Sequence, residues 1–257
     1  MSRLIAVKIG NTTASAALAS DGALGDVLRV PVGRLENLKE ILTCAASSGG
    51  ARLAEEGAAV IVASVNPRAL AHLRGIAVDA TGAEPEVAGE DFPIPIRADV
   101  EEPERVGTDR LLAALAARGR LGSPCVVVDL GTAVTVDAVA ADGAFAGGAI
   151  FPGLEMSADA LARGTALLPK ISLPTDAPRI GRSTAEAISA GLLHGAAGAI
   201  AALVSGARAT VGKKAPVLLT GGDAEILAPH LPTDMRQVQP NLVLEGLVLA
   251  YQEWKGR

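Results

Sequence analysis

Aromatic side chains are nearly absent from this chain: three Phe, one Tyr and one Trp in 257 residues. Proteins that stack nucleic-acid bases need aromatic platforms, so that mode of binding is excluded. Basic charge is scarce too. A net charge of −5 and an isoelectric point near 5.3 leave no basic stripe to displace counterions from a phosphate backbone, and no nucleic-acid partner is expected.

Cysteine is limited to Cys44 and Cys125, far apart and set among small or apolar residues. They read as reduced, buried thiols rather than a disulfide or a metal pair. His72, His194 and His230 have no i,i+4 partner and no neighbouring Cys, so no transition-metal site is expected. Neither a Gly-x-x-x-x-Gly-Lys-[Ser/Thr] loop nor a Gly-x-Gly-x-x-Gly turn occurs, which sets aside the commonest nucleotide folds. The first residues lack the charged and apolar regions of a secretion signal, and a cytoplasmic location is expected.

One stretch, residues 187–204, is almost uncharged over nearly a membrane-spanning length. Its content is mainly Ala and Gly, with Ser189 and His194 inside and no aromatic anchors, so it reads as a buried helix of a soluble protein with no membrane partner. Gly191, Gly195 and Gly198 share one helical face and admit close approach of another helix. That helix belongs either to the same chain or to a second copy.

What the chain does have is a duplication. Ile5-Ala6-Val7-Lys8-Ile9-Gly10-Asn11-Thr12-Thr13 is a β-branched strand running into a Gly-Asn turn. Val126-Val127-Val128-Asp129-Leu130-Gly131-Thr132-Ala133-Val134-Thr135 repeats the plan with a Gly-Thr turn. Aligned on the glycines, the copies differ in charge at one place, where Lys8 stands opposite Asp129.

Around each copy the pattern continues in parallel. The first half predicts a hairpin over 4–9 and 13–19, a third strand near 27–32 after Asp21-Gly22, and a helix over 35–44. A buried strand over 58–64, a short helix over 67–74 and a strand near 76–78 follow. Pro93 and Pro95 restrict residues 92–96 to an edge strand or extended loop, and 111–118 reads as a helix. The Gly/Pro cluster at Gly119, Gly122 and Pro124 marks a boundary between lobes 1–119 and 120–257. The second half predicts strands over 125–130, 133–140 and 144–147 and a helix over 154–163. After a proline-rich crossing at 169–178 come a long helix over 184–207, a strand over 217–219, the turn Thr220-Gly221-Gly222 and a helix from Leu242. Two such halves make an α/β architecture with a cleft between them.

Glycine lets a backbone approach a phosphate, and Asn and Thr add donors beside it. Either turn alone is an ordinary hairpin. Gly10-Asn11-Thr12, Gly131-Thr132 and Thr220-Gly221-Gly222 together resemble the phosphate-1, phosphate-2 and adenosine turns of the ASKHA (actin, sugar kinase, Hsp70) superfamily, a duplicated RNase H-like fold. Gly107-Thr108-Asp109-Arg110 opens a helix. An Asp there is favoured by the helix dipole, and it is also placed to orient an acceptor hydroxyl with Arg110 holding an anion.

In order and spacing these segments resemble the type III pantothenate kinase family nearly from end to end. The match includes Ser64-Val65-Asn66-Pro67, Gly147-Gly148-Ala149-Ile150-Phe151-Pro152-Gly153 and Leu244-Glu245-Gly246-Leu247. The resemblance implies a homodimer that phosphorylates pantothenate with ATP and magnesium, the first step of coenzyme A synthesis. It implies Asp109 as proton acceptor, with Gly107, Thr108, Arg110, Val100 and Thr184 at pantothenate. It places Lys8, Ile9, Gly10, Asn11, Thr12, Thr13, Ala14, Ser15, Thr132, Gly221 and Gly222 at ATP, and Asp129 at a monovalent cation, potassium or ammonium.

Two positions depart from the family pattern: Lys8 replaces the first-loop Asp, and Val100 replaces an aromatic. Lys8 leaves several readings open. It neutralises phosphate charge itself, or it marks a lapsed kinase that serves as a nucleotide-binding or regulatory protein, or another carboxylate, Asp129 or Asp137, serves the metal.

Overall fold

The structure, a computed structural model, describes residues 3–47, 59–173 and 175–256. The Cys44 side chain, Ala58 and Pro174, each part of an expectation above, lie outside the described residues. The chain divides into two compact units. Unit 1 comprises Met1–Ile96, Glu104–Ala116 and Asn241–Arg257, and unit 2 comprises Arg97–Pro103 and Ala117–Pro240. A single cut at 119/120 therefore does not describe the division, because the chain returns to unit 1 with its last helix.

Unit 1 is built on a five-stranded sheet of order β3-β2-β1-β4-β5. Its strands are β1 (Arg3–Ile9), β2 (Thr13–Ser20), β3 (Ala23–Pro31), β4 (Ala59–Ser64) and the short β5 (Glu86–Val87). β1 pairs antiparallel with β2 and parallel with β4, and β3 joins β2 through Asp21-Gly22, both at positive φ (51° and 84°). An Asp-Gly pair suits a hairpin turn whose two central residues are left-handed. Residues 32–38 are a 3-10 segment broken at Arg34, and it runs into helix α1 (Lys39–Ser47).

Helix α2 (Pro67–Thr81) carries a correction. The expected stop at Arg74 and strand at 76–78 do not exist; the helix runs on, because Ile76 and Ala77 extend the buried series Ala69, Leu70 and Leu73. Asn66 caps its start by accepting from Ala69 N at 3.1 Å, and Gly82, at φ 75°, ends it. Helices α1 and α2 cover one sheet face through Ile5, Val7, Ile9, Leu38, Leu42 and Leu73. Helix α7 (Leu242–Lys255) packs on β1, β3 and β4 and shares none of that cluster. Three of the five aromatics fasten α7 in place: Phe92 lies 5.2 Å from Tyr251 and 5.7 Å from Trp254, ring centre to ring centre.

Helix α3 (Thr108–Leu121) carries the division between the units within its length. Unit 2 repeats the sheet order of unit 1. Its strands β6 (Cys125–Leu130), β7 (Ala133–Val139), β8 (Phe145–Pro152) and β9 (Val217–Thr220) lie in the order β8-β7-β6-β9. The place of a fifth strand is taken by one parallel bridge, Leu219 to Val238. β8 runs to Pro152, well beyond the expected end at 147, with a register shift at its pairing with β7 and Gly147 at φ 96°. Helix α4 (Leu154–Gly164) and the 28-residue α5 (Thr184–Val211) cover one face through a core of Val126, Val128, Leu130, Leu193, Ile200 and Val204. By length and composition α5 is long and apolar enough to cross a membrane. Here seven of its residues are buried, most of them against the unit 2 core. Helix α6 (Ala224–Leu227) follows β9.

Candidate active site

The duplication is visible residue by residue. In β1, Val7 and Ile9 point into the unit 1 core, so alternation puts Lys8 on the other face beside its register partner Ser15. In β6, Val128 and Leu130 point into the unit 2 core, and Asp129 lies on the other face beside Thr135. Lys8 and Asp129 are thus equivalent positions, each two residues before a glycine and each opposite a hydroxyl.

The turns differ in one respect that alignment on the glycine conceals. Four residues separate the pair Ile9–Ala14, whereas three separate Leu130–Val134. Gly10 N donates to Thr13 O at 2.9 Å, and Gly131 N to Ala133 O at 3.3 Å. Asn11, Thr12 and Thr13 are exposed around the longer turn. Ile9 and Ala14, expected at ATP, have side chains in the core at 1% and 0% exposure, so only their backbone groups remain for a ligand.

A second element clasps each turn. In unit 1, Val65 N donates to Ile9 O at 3.1 Å; in unit 2, Asp223 N donates to Leu130 O at 2.9 Å. Val65 and Asp223 hold these turns through their backbone amides, and the strand-end position after β4 and β9 is what marks them. Gly221, at φ 98°, brings its backbone against β6: a Cβ there would stand 2.5 Å from Asp129 Oδ1. Gly153 packs on the same turn, with its N–H given to Thr132 O at 3.0 Å. Gly153 also stands at the start of α4, where no side chain supplies a capping hydrogen bond. Glu155 lies in the first turn of α4. Burial raises the Asp223 carboxyl above its ordinary value, and the negative charge of Glu155 adds to the effect.

Of the residues expected at the acceptor, Gly107, Thr108, Asp109 and Arg110 lie in unit 1. Thr108 Oγ1 donates to Ser64 O at 3.3 Å, which ties the start of α3 to the end of β4. Asp109 Oδ1 accepts from Arg110 N at 2.8 Å, so the carboxylate folds over the amide end of its own helix. Gly107 makes room for it, since a Cβ there would lie 2.6 Å from Asp109 Oδ1.

Val100 and Thr184 belong to unit 2. Val100 Cγ1 lies 3.6 Å from where a Cβ of Gly147 would be. Thr184 is the exposed first residue of α5 and lines a groove of about 810 Å³ between α4 and α5, together with Phe151, Leu161, Leu168 and Gly191. Cys125 is buried, and burial pushes its thiol up to about 11, the character of an inert core residue.

A twofold 3-2-1-4 sheet plan with glycine turns at the ends of β1, β6 and β9 is the duplicated ASKHA-type fold. Solved structures share the fold. A putative Baf family transcriptional activator from Campylobacter jejuni superposes with a TM-score of 0.61 at 19% identity, covering 99% of this chain and 100% of that one. MreB 5 of Spiroplasma citri, solved bound to AMPPNP, gives 0.52 at 15% identity, covering 100% and 98%. The family is fixed by sequence. The model of the type III pantothenate kinase family matches residues 4–206. A type III pantothenate kinase of Thermomicrobium roseum is 34% identical over 97% of this chain and 96% of its own length, and one of Frankia alni is 35% identical over 97% and 99%. The chain belongs to the type III pantothenate kinase family and is a phosphotransferase.

Proposed function

We propose that this chain transfers the γ-phosphoryl group of ATP to pantothenate, giving 4′-phosphopantothenate for coenzyme A synthesis. The family match along the chain carries the reading, in which Asp109, Asp129 and Thr132 take the roles of the family's site residues. Asp109 orients the acceptor hydroxyl and takes its proton late in transfer, so a carboxylate held by its own helix end is serviceable. Gly107, Thr108, Arg110, Val100 and Thr184 contact pantothenate. The turns at Gly10, Gly131 and Gly221-Gly222 approach the nucleotide through backbone groups.

Magnesium enters with ATP and neutralises phosphate charge, a role that needs only one or two carboxylates from the protein. Asp129 holds a potassium or ammonium ion. Its register neighbours Thr135 and Thr220 carry hydroxyl oxygens, the donor type that suits a hard ion.

The protein acts in the cytoplasm as a homodimer in this reading. The exposed glycines Gly191, Gly195 and Gly198 support the dimer, because a Cβ at any of them would meet nothing within 4 Å. Their smallness serves no contact among the described residues, and the adjoining groove is apolar.

Lys8 is the one position that favours a second reading, a lapsed kinase that keeps nucleotide binding. Purified protein with ATP, magnesium, potassium and pantothenate, assayed for product by mass, separates the two. Product from the wild type that is lost in Lys8→Ala makes Lys8 a phosphate-neutralising group. No product from the wild type but product from Lys8→Asp establishes the lapsed kinase and sinks the proposal.

A further inference from the structure

The unit 1 sheet leaves a gap at the end of β4. Beyond the paired residues of β5, Ala88 N donates to Val62 O at 2.8 Å. Carbonyls two residues apart in a strand face the same neighbour, so Ser64 O also faces the β5 side. The next donor there would be Glu90 N, but the chain turns away at Gly89, at φ 86°, and Glu90 N goes to Val87 O at 3.1 Å. Thr108 takes the vacant place: its Oγ1 donates to Ser64 O at 3.3 Å. Its other branch, Cγ2, lies 3.3 Å from where a Cβ of Gly89 would be. The first residue of α3 is thus seated at the end of the sheet through both branches of one side chain.

One residue further on, Val65 N donates to Ile9 O at 3.1 Å and fixes the strand end that enters the Gly10 turn. Val65 Cγ1 also lies 3.9 Å from where a Cβ of Gly107 would be. Ser64 and Val65 therefore hold the turn after β1 on one side and the residues that flank Asp109 on the other. A hydroxyl has one proton to give, and that of Thr108 is committed to Ser64 O. We propose that Thr108 is a positioning residue: its hydroxyl holds Asp109 at a fixed reach from the Gly10 turn, and pantothenate meets the backbone of residue 108 rather than its side chain. The inference rests on the kinase reading above and deepens it. A reacting group displaced by about 1 Å can lose about a hundredfold in rate, so a single tether at the start of α3 bears directly on turnover.

The test is a steady-state kinetic comparison of variants of the full chain, with pantothenate and ATP each varied, at a temperature below every variant's melting transition. Thr108→Val keeps the shape and loses the bond; it lowers kcat about tenfold and leaves KM for pantothenate within about twofold of the wild type. Thr108→Ser keeps the hydroxyl and restores kcat. Thr108→Ala admits a water to the Ser64 carbonyl, which spares the fold, and it loses turnover as Thr108→Val does. In an Asp109→Asn background Thr108→Val lowers kcat no further, because the group that it displaces is already gone.

The inference is overturned if Thr108→Val raises KM for pantothenate at unchanged kcat, which makes the hydroxyl a substrate contact. It is equally overturned if Thr108→Val lowers kcat by the same factor with and without the Asp109 carboxylate, the mark of a structural role alone. The kinase reading fails by a separate result, the absence of phosphopantothenate from the wild-type reaction.

Discussion

The Cα of Gly221 faces Asp129 so closely that a Cβ on it would stand 2.5 Å from the carboxylate oxygen Oδ1. The same Cβ would also strike the Leu130 carbonyl, which Asp223 N holds in place. The glycine therefore does two things at once. It permits φ 98°, and it lets the turn after β9 lie against the end of β6.

Gly221→Ala is expected to cost about 1–3 kcal/mol of stability from the strained backbone. It also displaces Asp129, with a loss of turnover of about a hundredfold. Differential scanning calorimetry and a product assay check the two effects. A Gly222→Ala control, at a position where a Cβ would meet nothing within 4 Å, leaves stability nearly unchanged.

Gly107→Ala separates position from presence. Its backbone has an ordinary φ, so the fold tolerates alanine, but the new Cβ would sit 2.6 Å from Asp109 Oδ1 and push the carboxylate aside. Turnover should fall about a hundredfold with an unchanged melting temperature. Asp109→Asn should fall by about two to four orders of magnitude. Equal activity of Gly107→Ala and wild type would remove Asp109 from the reaction.

Tyr251 is the sole tyrosine, so its ionisation can be followed without interference. Burial raises its phenol well above the ordinary value, and the hydrogen bond to Glu86 Oε1 at 2.5 Å and that group's negative charge add to the shift. The folded value lies above the unfolded one, so the contribution to stability is complete below about pH 10 and is lost as pH rises toward the folded value. Tyrosinate absorbance should stay absent past pH 10 and emerge together with unfolding. In Glu86→Gln it should emerge earlier.

The sequence made the duplicated sheet legible because both copies keep the same alternation of β-branched residues before a glycine. It made most helices legible by their apolar spacing. It misjudged α2, where Gly75 and β-branched Ile76 and Val78 look like a helix end followed by a strand, whereas packing of Ile76 and Ala77 on the sheet carries the helix through. The extra residue in the first turn was hidden by alignment on the glycine. Asp223 was hidden for another reason: it reaches the Leu130 carbonyl at the end of β6 through its backbone amide, which no side-chain motif announces. The charge reversal at Lys8 was plain in the sequence, and the register sharpens it to a one-for-one exchange with Asp129.

The placement of α7 has a consequence for how the protein is made. β1 leaves the ribosome before unit 2, yet the helix that packs on it arrives only after all of unit 2 has been synthesised. Gly246 lets α7 lie against the backbone of α3 at Leu112, so this late arrival also seats the helix that begins beside Asp109. Unit 2 is contiguous apart from residues 97–103 and can fold while translation continues. Unit 1 must wait, with an apolar face of its sheet uncovered, until α7 emerges, and that interval is when a chaperone would be needed.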